Sequence, residues 1–194
     1  FGYINEKPII CANGRFHYYE GFSLDQVTLT VSIPHGLGCS NLFITNAAGC
    51  LVQEWNLGDL MLIRGYLDYT FIKNSNSPSI IHLEQDSMFL SKLKKIALEN
   101  DINLREGIYT WTLGPTYETS AEIDDIISLG GTAVGMSTAP ELMKAQELKL
   151  NVIGISCLTN YGSGLQDETL THEAVLETSS KIQNKFSEFM KKII

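Results

Sequence analysis

Short apolar runs rich in β-formers alternate with amphipathic stretches along the chain, and that alternation limits the possible folds more than any other feature. The apolar runs occupy residues 7–13 (KPIICAN), 41–46 (NLFITN), 58–64 (GDLMLIR), 107–113 (GIYTWTL), 132–136 (TAVGM) and 151–159 (NVIGISCLT). Several are almost wholly apolar, as strands covered on both faces must be. Between them, residues 87–100 place Phe89, Leu90, Leu93, Ile96 and Ala97 on one helical face. Residues 119–129 open with Thr119 and Glu122, the spacing of a capping box. Residues 139–149 begin Ala139-Pro140-Glu141, with proline in a tolerated first-turn position. Residues 172–193 carry Val175, Ser179, Ile182, Phe186, Phe189 and Ile193 at helical spacing, behind Thr171 as N-cap. Residues 23–37 are ambiguous, being rich in Thr and Val and interrupted by Pro34, and KNSNSPS at 73–79 reads as a loop. The pattern predicts an α/β fold, a central and mostly buried sheet flanked by helices, in one domain of residues 1–194.

Charge and cysteine usage narrow the function classes. Fourteen Lys and Arg stand against 22 Asp and Glu, a net charge of −8, which a nucleic-acid backbone would repel. No stretch approaches about 18 continuous apolar residues, so no membrane partner is expected, and no basic segment with an apolar run opens the chain. The four cysteines, Cys11, Cys39, Cys50 and Cys157, form no C-x-x-C pair. They are expected to be buried, reduced thiols of a cytoplasmic protein. No set of His, Cys, Asp and Glu has the spacing of a metal site.

The informative residues lie just past the ends of the strands. After PIICAN comes GRFHYYE, after NLFIT comes NAAG at 46–49, after GIYTWTL comes GPTYE at 114–118, after TAVGM comes STAPE at 137–141, and after GISCL comes TN at 159–160. In open α/β sheets ligands bind at the carboxyl ends of strands, where such clusters converge. Each cluster alone has a plain reading. Arg15 and His17 fit a solvated surface, residues 46–49 an ordinary strand-to-loop turn, and Met136-Ser137 core packing followed by a helix cap. Glu118 fits a solvated carboxylate, and His172 sits unremarkably one residue beyond an N-cap. Gly135-Met136-Ser137-Thr138-Ala139 approaches a nucleophile elbow but lacks its final glycine.

Taken together the clusters form a coherent chemistry. Arg15, His17, Ser137 and backbone N–H groups of the 46–49 turn are phosphate donors. Glu118 and Asn160 supply a carboxylate and an amide, a pair able to read a heterocycle with both donors and acceptors. Tyr117 offers a face for stacking a base. Tyr19, Met136 and His172 suit a sugar. Phosphate, sugar and base together point to a nucleoside meeting phosphate.

The strings GRFHYYEG (14–21), TNAAG (45–49), GPTYET (114–119), AVGMSTAPE (133–141), LTN (158–160) and THE (171–173) occur in the order and spacing of one family. In them the chain resembles the trimeric, low-molecular-mass purine nucleoside phosphorylases. The resemblance implies a nucleoside phosphorylase-like mixed sheet, a homotrimer, and phosphorolysis of 6-oxopurine nucleosides with inorganic phosphate as a substrate and no cofactor. It implies phosphate contacts at Arg15, His17, Ser137 and the N–H of Ala47, and ribose contacts at Tyr19, Met136 and His172. The implied purine contacts are Tyr117, Glu118, Val134, Gly135 and Asn160, with Asn160, Glu118 and His17 carrying catalysis. Asn160, where relatives that cleave methylthioadenosine carry Asp, implies 6-oxopurine preference. The alternatives are a phosphorylase accepting 6-aminopurines and a nucleoside-binding relative without turnover. The family's N-terminal phosphate-loop segment has no counterpart here. GSGL at 162–165 is similar to it only superficially and reads as a plain flexible loop. Residues 66–86 are shorter and more irregular than the family's segment, with Phe71 and Phe89 the compositional candidates for an aromatic crossing to a neighbouring subunit.

Overall fold

Five strands close on one another into a ring, and the helices pack around it. The computed structural model describes residues 1–72, 78–166 and 172–194, the last with side chains only at 178, 180 and from 182 onward. The main strands are β3 (Asn41–Cys50), β4 (Leu60–Asp68), β6 (Leu104–Trp111), β7 (Ala133–Gly135) and β8 (Asn151–Tyr161). Around the ring, β4 pairs parallel with β6, β6 parallel with β7, β7 antiparallel with β3, β3 parallel with β8, and β8 antiparallel with β4. The short β5 (Ile80–His82) adds antiparallel to β4. The sheet is therefore mixed, as the resemblance implies, and a closed circuit leaves fewer bare edges than an open sheet.

Burial explains why the strand runs look apolar. In β4, Leu60, Met61, Leu62, Ile63, Tyr66 and Leu67 are all buried, as are Tyr109 and Trp111 of β6 and Ile155 and Leu158 of β8. Met61, Ile63, Tyr109 and Trp111 join one core with Leu142 and Ala145 of α5 (Ala139–Glu147). Leu60, Leu62 and Ile155 face the other way, against Leu90, Leu93 and Ala97 of α3 (Ser87–Glu99) and Phe189 and Ile193 of α6 (His172–Ile193). Phe89, Ile96, Ile182 and Phe186 pack on the same cluster, so the helical faces fall where their periodicity places them. Thr119 caps α4 (Ser120–Ser128), accepting from the Glu122 N–H at 3.3 Å, while Glu122 accepts from the Thr119 N–H at 2.7 Å.

Several expectations are corrected. KPIICAN is not a strand of the main sheet. Only Lys7–Ile9 (β2) is extended, paired with β1 (Gly2–Ile4) across Asn5 and Glu6, both at positive φ. Those two residues make the two-residue hairpin turn whose twist suits antiparallel strands. Cys11 is consequently exposed and Cys39 and Cys157 are half-buried, leaving Cys50 as the fully buried thiol, although all four are free. The 46–49 stretch is not a turn: β3 runs through it to Cys50, with a register shift at Ala48/Gly49. β8 likewise runs past Asn160 to Tyr161. Residues 23–37 fold as α1 (Leu24–Val27) and α2 (Leu29–Gly36), the first capped by Ser23. GSGL is a loop, but a tethered one: the Gly162 N–H donates to the Cys50 carbonyl and Gln53 Nε2 to the Leu165 carbonyl. Most of the 73–79 segment and Thr171 lie outside the described residues, as do the side chains of Val175 and Ser179.

Candidate active site

The polar clusters do converge, and β7 with the start of α5 is where they meet. Arg15 is anchored twice. Its Nε donates to Glu141 Oε2 and its Nη1 to the Thr45 carbonyl, each at 3.0 Å. A guanidinium has five N–H donors, so these two contacts leave three for a ligand. The Thr45 contact sets Arg15 beside Asn46 and Ala47 of β3, and Ala47 is exposed although its strand neighbours from Ala48 to Cys50 are buried.

Asn46 ties β3 to the start of α5. Its Nδ2 donates to Thr138 Oγ1 at 2.9 Å, and Thr138 Oγ1 lies 3.2 Å from Ser137 Oγ. The Ser137 N–H donates to the Tyr109 phenol at 3.2 Å. Tyr109 is fully buried, and burial pushes its pKa up, keeping the phenol neutral in this network. Thr138 has φ +68° and ψ −48°, and the Ala139 N–H closes back on the Ser137 carbonyl at 2.7 Å. This is the rare positive-φ γ-turn, strained for a β-branched residue. It turns the chain sharply from β7 into α5 and holds Ser137, 9% exposed, at the junction.

His17 and Tyr19 stand next to this anion-suited corner. The His17 ring stacks on Tyr19 with centroids 4.9 Å apart. Glu20 braces them, accepting the His17 N–H at 2.8 Å with its oxygen 3.8 Å from Nδ1. Burial, then the Glu20 charge, raises the Tyr19 pKa. Tyr19 and Met136 both border Gly114, where a Cβ would lie 3.0 Å from Tyr19 Cδ1 and 2.4 Å from Met136 Sδ. Gly114 is also at φ +71°, so a side chain is excluded twice over.

Glu118 and Asn160, the pair expected to read a base, also lie near β7. Glu118 Oε1 accepts from Thr112 Oγ1 at 2.5 Å, and the Thr112 N–H donates to the Gly135 carbonyl at 3.0 Å. Asn160 is on the other flank. A Cβ on Gly49 would lie 3.1 Å from Val134 Cγ1 and 3.2 Å from Asn160 Nδ2. The Asn160 amide is oriented by Thr159, whose hydroxyl donates to Oδ1 at 2.9 Å, and Nδ2 donates to the Tyr161 carbonyl at 3.1 Å. Gly135 abuts Tyr109, with a Cβ only 2.5 Å from the phenol oxygen. Tyr117, beside Glu118, is 43% exposed. His172 heads α6, and its side chain lies outside the described residues.

Sequence reasoning singles out Arg15, Ser137, Glu118 and Asn160 but not the residues that hold them. Glu141 is visible only as a first-turn carboxylate, Thr138 as part of a helix start, and Tyr109 as a strand aromatic. Two hollows elsewhere, about 220 Å³ between Leu24 and Met143 and about 70 Å³ between Asp59 and Phe186, contain none of these residues. Among the described residues no group of His, Cys, Asp and Glu is placed to hold a metal ion, and no helix is long and apolar enough to cross a membrane.

Comparison with known proteins places the chain in a family. The family model described as the phosphorylase superfamily matches residues 1–194. Purine nucleoside phosphorylase 1 of Geobacillus stearothermophilus is 38% identical over 203 residues, covering 100% of this chain and 74% of the relative. A schistosoma purine nucleoside phosphorylase solved with hypoxanthine superposes with a TM-score of 0.87 at 28% identity, over 100% of this chain and 75% of that one. The Schistosoma mansoni enzyme solved with adenosine gives 0.82 at 30% identity, over 93% and 70%.

Proposed function

The chain belongs to the phosphorylase superfamily, and from that premise we propose that it cleaves the N-glycosidic bond of 6-oxopurine (deoxy)ribonucleosides such as inosine and guanosine. Inorganic phosphate is the second substrate, and the products are free purine and (deoxy)ribose 1-phosphate. The observation that carries this reading is an order along four consecutive residues. Val134 and Asn160 flank Gly49, the Gly135 carbonyl accepts from Thr112, which donates to Glu118, Met136 and Tyr19 border Gly114, and Ser137 joins the Asn46–Thr138 network beside Arg15. On this reading base, sugar and anion contacts succeed one another from the end of β7 into the turn before α5.

In the proposed mechanism, phosphate sits on Arg15, His17, Ser137 and the Ala47 N–H. A phosphate oxygen forms a bond to C1′ as the C1′–N9 bond breaks, and the bonding pair leaves with the purine. The sugar passes through an oxocarbenium-like state that the phosphate charge stabilises from below. Tyr19, Met136 and His172 hold the ribose. Tyr117 packs on the purine and Glu118 fixes its orientation. The purine's imidazole ring gains negative charge as it leaves, so an N–H donated by Asn160 strengthens most at the transition state. Phosphate is a substrate in this scheme, which calls on no metal or organic group. A cytoplasmic homotrimer belongs to the same reading.

Hypoxanthine release from inosine, measured with and without phosphate, tests it. Release is expected only with phosphate, and phosphate-independent release or none would overturn the proposal. A second reading, acceptance of 6-aminopurines, is favoured by the adenosine complex of the Schistosoma mansoni relative. Comparing kcat/KM for inosine and adenosine decides between the two.

A further inference from the structure

Glu141 is a buried carboxylate for which the proposed mechanism has no use. It is 4% exposed, in the first turn of α5, with both oxygens engaged. Oε2 accepts from Arg15 Nε, and Oε1 accepts from Thr30 Oγ1 of α2, each at 3.0 Å. Burying a carboxylate is costly unless it is paired and hydrogen-bonded, and here it is both.

We propose that Glu141, itself held by Thr30, is a positioning residue that fixes the Arg15 guanidinium for the anion. The geometry is specific. Arg15 is held at Nε by Glu141 and at Nη1 by the Thr45 carbonyl. One contact would leave the guanidinium plane free to swing, and two on different nitrogens fix it. The remaining Nη donors are thereby presented in one orientation, which a bidentate contact to an oxyanion requires. Glu141 also rides on the helix that begins at Thr138, so the strained turn that sets Ser137 sets Glu141 as well. Arg15, from one end of the chain, and Ser137 are thus referred to a single rigid unit.

This inference rests on the phosphorylase reading, and its test separates the two. Glu141→Gln keeps the volume and an oxygen able to accept from Nε but removes the charge. Its phosphate KM is expected to rise about ten-fold, the difference between a charge-assisted and a neutral hydrogen bond, with the inosine KM within about two-fold. Thr30→Val removes only the contact to Oε1 and should give the same split at about three-fold. A purely structural pair would instead move both KM values together, or neither, and either result overturns the proposal. Phosphate-induced elevation of Tm, read without nucleoside, should be smaller in both variants than in the native protein. If phosphate raises the native Tm but inosine is not cleaved, the phosphorylase reading falls while the Glu141 test still stands. If Glu141→Gln does not fold, Thr30→Val decides, and an unchanged phosphate response there overturns the inference.

Discussion

The surroundings of Arg15 and those of Glu118 and Asn160, on the proposed reading the anion side and the base side of the site, are built differently. Around Arg15 the contacts span the chain: Arg15 to Glu141, Thr30 to Glu141 and Asn46 to Thr138 bridge 126, 111 and 92 residues. The side-chain bonds made directly to Glu118 and Asn160 are local, Thr112 to Glu118 spanning six residues and Thr159 to Asn160 joining neighbours, although Thr159 also reaches the Ala48 carbonyl 111 residues away. The anion side is therefore part of the tertiary structure. The base side is a set of side chains oriented by their own segments. On the proposed reading, such a site would keep its phosphate chemistry fixed while its base preference stays open to change by single substitutions.

The largest effect that sharpens this contrast is expected from Arg15→Ala. It leaves Glu141 buried without its cation, at a cost of about 3–5 kcal/mol in stability. Denaturant unfolding should show that loss together with a raised phosphate KM. A stable Arg15→Ala protein would break the comparison on the anion side. Asn160→Asp is next. Losing a donor used at the transition state should lower kcat/KM for inosine about 100-fold, near 3 kcal/mol, and raise the adenosine-to-inosine ratio. Its Tm should move by no more than about 2 °C, because only neighbouring groups orient the amide. A Tm loss as large as that of Arg15→Ala would erase the distinction.

The smallest effect concerns a tie near Val134 that spans 56 residues. Tyr69 packs on Leu51, Ile123, Ile126 and Val134 and donates to Asp125 Oδ2 at 2.7 Å. Burial, then the Asp125 hydrogen bond and charge, pushes its pKa from 10 up to about 12. The fold favours the protonated phenol. Its contribution is complete below pH 10 and is lost as pH rises through about 12. Tyr69→Phe should cost about 1 kcal/mol at neutral pH and flatten the fall in stability between those two values.

Legibility in the sequence tracks the range of the interactions. α3, α4 and α5 can be read because their signals lie within a few residues: a periodic face, the Thr119–Glu122 box, a first-turn proline. The run PIICA misleads because an apolar segment looks the same whether a sheet or a small hairpin receives it. The positive φ at Asn5 and Glu6 that settles the matter has no Gly to advertise it. Ala47-Ala48-Gly49 has turn-like composition, yet the segment is strand, and Gly49 serves close packing against Val134 and Asn160. The motif residues are legible as chemistry. Glu141 and Thr30 are not, because no local pattern connects helix 29–36 to the first turn of helix 139–147.

The closed ring also orders events during synthesis. β8 bonds to β3 through ten paired positions and to β4 through three, so among the described strands it is the one that pairs with both. Both leave the ribosome long before residue 151 does. Until then their hydrogen-bonding edges face whatever is nearby, including the same edges on neighbouring nascent chains. The strand that carries Asn160 is thus also the latch of the ring. The chain is most exposed to misassembly, and most dependent on chaperones, just before Asn160 has been made.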